Sequence, residues 1–174
     1  MSEMKTTFYS IIALSTVLLS GCVTSHPQNA VEFRAAVPGA FLAKVEKYEV
    51  AQPYHEVAMR FEKMAPKCLN TTIKTVSQST TSYQVIVTEY KPTVILGDNR
   101  TELHLQQHHA QGVMKITEEP DGGYYLMVVD AIKAAEGTTR IEYYGPSVGH
   151  EPIIDAIKGW ASGKNIGCPD LTKI

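Results

Sequence analysis

The segment from Gly145 to Gly149 matches the pattern Gly-x-Ser-x-Gly, which can present a serine hydroxyl as a nucleophile. It lies between a predicted strand and a predicted helix, as a nucleophile elbow requires. Such a site also needs an acid and then a histidine later in the chain, whereas His150 is the only later histidine and precedes both later aspartates. We therefore expect Ser147 to be structural, capping the final helix with its hydroxyl, and serine hydrolysis to be the third-ranked function.

Three histidines in one predicted strand, His104, His108 and His109, raise the possibility of a metal site. On a strand that rises about 3.3 Å per residue, His104 and His108 would lie about 13 Å apart on one face, and His109 would point to the other. The three side chains cannot share one ion without a bulge. The sequence instead predicts a partly exposed strand with Leu103 and Leu105 facing inward, and neither a metal nor another cofactor.

The cysteines are Cys22, Cys68 and Cys168. If Cys22 is modified, as its surroundings indicate below, Cys68 and Cys168 are expected to form a disulfide in an oxidising compartment. That bond would close a loop of about 100 residues, which contributes up to ~4 to 5 kcal/mol in the disputed chain-entropy model. A free thiol pair or two ligands of a metal site are the alternatives, although no Cys-x-x-Cys motif or nearby histidine pair supports them.

One long apolar segment, Phe8 to Gly21, lies at the start of the sequence and is too short and too terminal for a membrane span. Lys5 precedes it as a positive n-region, and Ile11 to Leu19 forms its apolar centre. The segment closes with Leu19-Ser20-Gly21-Cys22, in which small residues precede a cysteine. These features predict a targeting segment over residues 1–21.

The run Leu19-Ser20-Gly21-Cys22 resembles the lipobox of bacterial lipoproteins, in which the cysteine is the modified residue. The resemblance implies cleavage before Cys22 and acylation of this cysteine with several chains, palmitate among them, which would anchor the protein to a membrane without a transmembrane helix. Residue 23 is Val, where the family associates Asp with inner-membrane retention, so the outer membrane and its periplasmic face are implied. A plain signal peptide followed by a chance cysteine is the alternative.

Composition indicates one globular domain. The chain has 174 residues, of which 44% are hydrophobic and 20% charged, enough for a single core and too apolar for a disordered chain. The formal net charge of -2 leaves no excess of basic residues for binding phosphates, so a nucleic-acid partner is not expected.

The pattern of residues predicts a lipidated N-terminus and tether over 22–40 and a single α+β domain over 41–174. Apolar residues at helical spacing predict a helix over 53–68, ended or distorted near Ala65 by Pro66, and a final helix over 153–161 that stops at Gly163. Pro92 should break one strand or lie at a sheet edge. Strands are predicted near 41–50, 71–77, 82–90, 93–96, 101–109, 112–118, 123–132 and 138–144.

This order predicts an antiparallel β-meander of about five to seven strands with two helices packed on one face. It resembles the helix-grip arrangement of lipid-transfer domains and of a lipoprotein of the outer-membrane barrel-assembly machinery, a likeness of topology that carries no functional residue over. Four tyrosines in two neighbouring strands predict cross-strand aromatic packing, with an aromatic ligand surface as the alternative; they are Tyr124, Tyr125, Tyr143 and Tyr144.

Two hypotheses about function therefore rank above serine hydrolysis. The first is a non-catalytic envelope lipoprotein, held at the membrane through Cys22, whose domain binds an envelope protein or the cell wall. The second is a binder or carrier of hydrophobic ligands that uses the space between the sheet and the C-terminal helix. A large apolar cavity there would favour the carrier, and a filled core with an exposed patch would favour the binding module.

Overall fold

The computed structural model describes residues 26–78, 83–111 and 119–173, so the predicted targeting segment, Cys22 and the predicted strand over 112–118 lie outside the described residues. Among the residues that are described, no helix is both long and apolar enough to cross a membrane. In chain order the elements are α1 (Ala30–Ala36), a 3₁₀ turn (Val37–Gly39), β1 (Ala43–Val50), α2 (Tyr54–Leu69), β2 (Thr71–Gln78), β3 (Tyr83–Ile95), β4 (Arg100–Gln111), β5 (Tyr124–Lys133), β6 (Thr139–Pro146), α3 (Glu151–Ala161) and a 3₁₀ turn (Leu171–Lys173).

The six strands form one antiparallel sheet in the order β1-β6-β5-β4-β3-β2. Strands β2 to β6 are a meander in which each strand pairs with the next along the chain, and β1 pairs with β6. This arrangement confirms the predicted α+β class and the antiparallel meander. We name the two ends of the sheet after the termini of β6, which are the Thr139 end and the Pro146 end.

The hydrophobic core lies between one face of the sheet and the helices α2 and α3, as the sequence predicts. Alternate residues of β4, β5 and β6 point toward these helices because side chains alternate along a strand. The helices contribute one apolar stripe each. Side chains with no exposed surface in this core include Val57, Phe61, Leu103, Leu105, Met127, Val129, Ile141 and Ile153.

Pro66 does not end α2. The helix continues to Leu69, so the prediction of a stop near Ala65 is wrong. Proline lacks the N–H that would bond to the carbonyl four residues earlier, and this loss weakens the last turn. The turn persists because Ala65 and Leu69 are fully buried and Cys68 is nearly so, which means that its packing on the core offsets the missing bond.

Pro92 does not break β3, and the two predicted strands over 82–90 and 93–96 form a single strand. Pro92 pairs with Leu105 of β4. On its other side β3 is paired with β2 only as far as Tyr90, which lies opposite Thr71. Pro92 therefore lies just beyond the end of the β2 pairing, at a local edge of the sheet, which is a position where proline is tolerated.

Residues 30–39 are not a tether, so that prediction is wrong for this part of the 22–40 segment. They form α1 and a 3₁₀ turn. Asn29 caps α1, since its side-chain oxygen accepts from the backbone N–H of Glu32 at 2.9 Å. The helix contacts β5 through Arg34 and Asp130, and Asp130 alternates with residues that face α2. Helix α1 therefore lies on the opposite face of the sheet from α2 and α3.

Candidate functional site

A cluster of charged side chains lies between α1 and the sheet. Asp130, with no exposed surface, accepts from Arg34 through two bonds, of 2.9 Å from Nε and 2.6 Å from Nη2. Arg100 donates to the same carboxylate at 2.7 Å. Glu102, which pairs with Asp130 across β4 and β5, accepts from Arg34 and contacts His104 Nε2 at 2.9 Å. We call these five residues the charged cluster.

Hydrogen bonds and neighbouring charges favour the ionised forms of Arg34 and Glu102 in the charged cluster. Burial alone would raise the pKa of the Glu102 carboxyl, but hydrogen bonds from Arg34 and His104 and the charges of Arg34 and Arg100 hold it below its ordinary value. Burial would likewise lower the pKa of Arg34, and its bonds to Asp130 and Glu102 raise it instead. Arg34 and Arg100 both face the carboxylates of Asp130 and Glu102, so the arrangement fixes α1 to the sheet.

An apolar cavity of about 310 Å³ lies at the Pro146 end, beside α1 and the start of β1. Aromatic rings line much of it: those of His26 and Tyr124 have centroids 4.8 Å apart, and those of Phe33 and Tyr125 are 5.8 Å apart. Because the register sets the β6 tyrosines opposite valines of β5, the predicted tyrosine pairing between these strands does not occur. The β5 tyrosines pack instead against the N-terminal segment.

A larger groove of about 780 Å³ opens at the Thr139 end. The start of α2 forms one wall, and the β3–β4 and β5–β6 loops form the other. The hydroxyl of Tyr54 donates to the carbonyl of Gly97 and lies 2.8 Å from Thr101 Oγ1, which fixes the β3–β4 loop against α2. Met59 and Leu96 are about half exposed in this groove. The groove combines these apolar side chains with charged ones from three elements, among them Glu62, Asp98 and Lys133, and such a mixed lining suits a binding surface.

Ser147 does not cap the final helix, so its predicted structural role is wrong. The N-cap of α3 is His150, which makes no side-chain capping bond. The backbone N–H of Ser147 donates to the carbonyl of Leu42 at 2.8 Å. No hydrogen bond joins the Ser147 hydroxyl to His150, and His150 Nδ1 is buried without a partner in the described part of the chain. Serine and histidine are close in sequence here but are not coupled as a nucleophile and its base.

The three histidines of β4 have separate partners. His104 contacts Glu102, His108 Nδ1 contacts Glu119, and His109 Nδ1 lies 3.1 Å from Thr88 Oγ1. Among the described residues no group of three histidine, cysteine or acidic side chains could hold a metal ion. The three side chains therefore do not converge on one point of β4.

The predicted disulfide is present. Cys68, at the end of α2, is bonded to Cys168, and their Cα atoms are 4.9 Å apart. The bond ties the segment after α3 to the end of α2 and so closes the helical layer over the core. Because both sulfur atoms are in this bond, Cys68 and Cys168 are neither free thiols nor ligands of a metal site. Cys22, the predicted lipidation site, lies outside the described residues.

Sequence reasoning missed the charged cluster, although one signal of it was available. Asp130 is the only charged residue between Tyr124 and Ile132, a run that otherwise predicts a buried strand. A lone carboxylate in such a strand needs an ionic partner. The partner, Arg34, is 96 residues away and could not be identified from local spacing.

Comparison with known proteins leaves the assignment to the chain's own residues: no protein-family model, no curated protein and no solved structure matches it.

Proposed function

We propose that this protein is a lipid-anchored lipoprotein of the bacterial envelope and works there as a non-catalytic binding or assembly module. The anchor would be Cys22 in the run Leu19-Ser20-Gly21-Cys22. The Cys68–Cys168 disulfide supports an oxidising compartment, which an exported protein would reach. The periplasmic face of the outer membrane is the proposed location.

The proposal is carried by one observation: the N-terminal segment and the open groove lie at opposite ends of the sheet. The N-terminal segment joins it at the Pro146 end, where His26 lines the apolar cavity. The open groove lies at the Thr139 end. The eight residues of β6 separate the two by about 26 Å. A domain held to a membrane near His26 would therefore present its groove away from the anchor, toward a partner.

The packing of the core argues against the alternative of a hydrophobic-ligand carrier. Such a carrier would hold its ligand between the sheet and α3, where the side chains of Met127, Ile153 and Trp160 are buried and packed together. The surface cavities at the two ends of the sheet lie away from this space, and a further one between α2 and the end of α3 reaches only the edge of Trp160, which is 1% exposed. A filled core with an open groove is the arrangement expected of the binding module.

Lipidation is tested first, in cells that express the full chain. Mass spectrometry of the membrane fraction should show an N-terminal peptide beginning at an acylated Cys22, and Cys22→Ser should move the protein out of that fraction. A mature chain that starts elsewhere, or an unmodified Cys22, contradicts the anchor.

The groove is tested by a photo-crosslinking amino acid introduced at Met59, which is 52% exposed in the groove. Val76 on β2 is 55% exposed outside it and is the matched control position. In intact cells an adduct of defined mass should form from Met59 and not from Val76, and Leu96→Arg should abolish it. Equal adducts from both positions, or none from Met59, contradict a binding role for the groove.

A further inference from the structure

The segment from the end of α1 to the start of β1 is largely exposed, Val37 excepted, although it has no polar side chain. Residues 35–43 read Ala-Ala-Val-Pro-Gly-Ala-Phe-Leu-Ala, without a charge or a side-chain hydrogen-bonding group. Phe41 is 91% exposed and Leu42 is 53% exposed. Soluble proteins leave single apolar side chains exposed without consequence, but a contiguous apolar surface marks a site of contact with a partner or a membrane.

A second apolar turn lies beside this segment. Ala43 pairs with Pro146, and the backbone N–H of Ser147 donates to the carbonyl of Leu42, so the turn over 145–149 is held against the start of β1. Val148 in this turn is 51% exposed. We call residues 35–43 together with 145–149 the apolar ridge. Its two parts come from distant parts of the chain and form one surface at the Pro146 end.

The backbone of the apolar ridge is held in a conformation that costs energy. Leu42 has φ of 56°, and it is the only non-glycine residue with a positive φ in the described part of the chain. A residue with a Cβ rarely adopts this region, and such positions persist where the surrounding structure enforces them, often at functional sites. Here the bond from Ser147 fixes the Leu42 carbonyl, while the Phe41 and Leu42 side chains remain in solvent.

Arg34 and Lys44, which flank residues 35–43 in the chain, are paired with carboxylates, whereas Glu151, two residues after Gly149, is exposed and accepts from the backbone N–H of Gly149. Arg34 is held by Asp130 on the sheet. Lys44 lies 3.0 Å from a carboxylate oxygen of Glu46. A shallow insertion would therefore bring no unpaired charge of Arg34 or Lys44 into the apolar phase, while Glu151 would have to stay in water.

The proposed anchor is only a few residues of chain away from this surface. Cys22 precedes His26 by four residues, and four extended residues span at most about 14 Å. His26 lines the same cavity as Phe41 and Leu42. A lipid on Cys22 would therefore hold the ridge next to the bilayer at a high effective concentration, and stable membrane attachment takes more than one signal.

We propose that the apolar ridge inserts into the surface of the bilayer that holds Cys22, so that the domain sits on the membrane with its Pro146 end down. This inference rests on the proposed lipid anchor. It assigns Phe41, Leu42 and Val148 a direct contact with the interfacial region of the lipid, where shallowly inserted apolar groups bind. The groove at the Thr139 end then faces away from the membrane in a fixed orientation.

Tryptophan fluorescence in vesicles tests the orientation. The full, lipidated protein is purified as Phe41→Trp and as Ile95→Trp, and its Cys22 peptide is checked by mass. The native Trp160 is 1% exposed and gives a constant background. Ile95 is 49% exposed and pairs with Glu102 near the Thr139 end of the sheet, which makes it the matched control. Each variant is reconstituted in phosphatidylethanolamine and phosphatidylglycerol vesicles with and without brominated lipid, which quenches nearby tryptophan.

The Phe41→Trp protein should show blue-shifted emission and several-fold stronger quenching by brominated lipid than the Ile95→Trp protein, and Val148→Trp should behave like Phe41→Trp. Equal quenching of the ridge and control variants, with Cys22 acylated, overturns the inference and leaves the proposed anchor intact. A blue shift without quenching, or one that grows with the protein-to-lipid ratio, shows contact with protein or a second copy and overturns it as well. If the mass check finds no lipid on Cys22, the result contradicts both the proposed function and this inference.

Discussion

Arg34 of α1 holds the fully buried carboxylate of Asp130 through two charge-assisted hydrogen bonds, of 2.9 and 2.6 Å, across 96 residues of chain. The pair connects the segment nearest the proposed anchor to the central strands of the sheet. Removing one partner of a buried ion pair is costly because the other charge remains desolvated.

We therefore expect Asp130→Ala to lower the free energy of unfolding by about 3 to 5 kcal/mol, since Arg34 and Arg100 then lose their hydrogen bonds to Asp130 and share the single carboxylate of Glu102. Arg34→Ala should cost less, about 1.5 to 3 kcal/mol, because Arg100 still binds Asp130. Chemical denaturation followed by circular dichroism measures both. The double variant should cost less than the sum of the two single changes, since the residues interact.

Arg140→Ala is the matched control for these variants. Arg140 also pairs with a carboxylate of the sheet, Glu142, but its side chain is 48% exposed. Its loss should cost no more than about 1 kcal/mol. Equal losses for Arg34→Ala and Arg140→Ala would show that the charged cluster does not fix α1.

The disulfide between Cys68 and Cys168 should stabilise the domain by restricting the unfolded chain, with a sequence separation of 100 residues. Replacing both cysteines by alanine is expected to lower the free energy of unfolding by about 4 to 5 kcal/mol on the chain-entropy model. Reductant should lower the stability of the native protein toward that of the variant and leave the variant unchanged. If the native protein is oxidised and reductant breaks the bond without changing the free energy of unfolding, the disulfide does not stabilise the domain by restricting the unfolded chain.

The elements that the sequence predicted well are those specified by local periodicity. Apolar residues at Val57, Phe61 and Ala65 recur at helical spacing, and they form the buried stripe of α2. The same holds for Ile153 and Ile157 of α3. Antiparallel pairing followed from the short connections between strands, and the disulfide followed from the scarcity of cysteine.

The features that the sequence did not predict depend on contacts between distant residues. The strand through Pro92 depends on where β2 ends, and α1 depends on an arginine meeting a buried aspartate. The apolar ridge needs the register of Ala43 with Pro146, which joins two segments 103 positions apart in the numbering. Local spacing carries no information about such registers, because each strand could pair in more than one alignment.

Ser147 provides a test of the non-catalytic proposal. Its side chain is partly exposed and makes no hydrogen bond to any residue that the structure describes, so Ser147→Ala should change the free energy of unfolding by less than about 0.5 kcal/mol. A fluorophosphonate probe should not label the native protein, because the hydroxyl has no base to activate it. Labelling that disappears in Ser147→Ala would contradict the proposal and revive the hydrolase.

The last prediction concerns His150, which precedes α3. Burial lowers the pKa of its imidazole below the ordinary value of 6.5, although the backbone of Val148 and the charge of Glu151 oppose this. Its Nδ1 atom is buried and has no hydrogen-bond partner among the residues described. The folded state therefore favours the neutral ring.

The sign of the pH dependence follows from this shift. Above pH 6.5 the ring is neutral in both states, and the full stability is present. As the pH falls below 6.5, the unfolded chain binds the proton first, so stability is lost until the pH reaches the lower folded pKa. The free energy of unfolding should be measured against pH for the native protein and for His150→Gln. The two plots should run parallel between about pH 7 and 8 and converge or cross below that range, because only the native chain loses the contribution of His150. Curves that stay parallel down to about pH 5 would mean that His150 titrates equally in the folded and unfolded states.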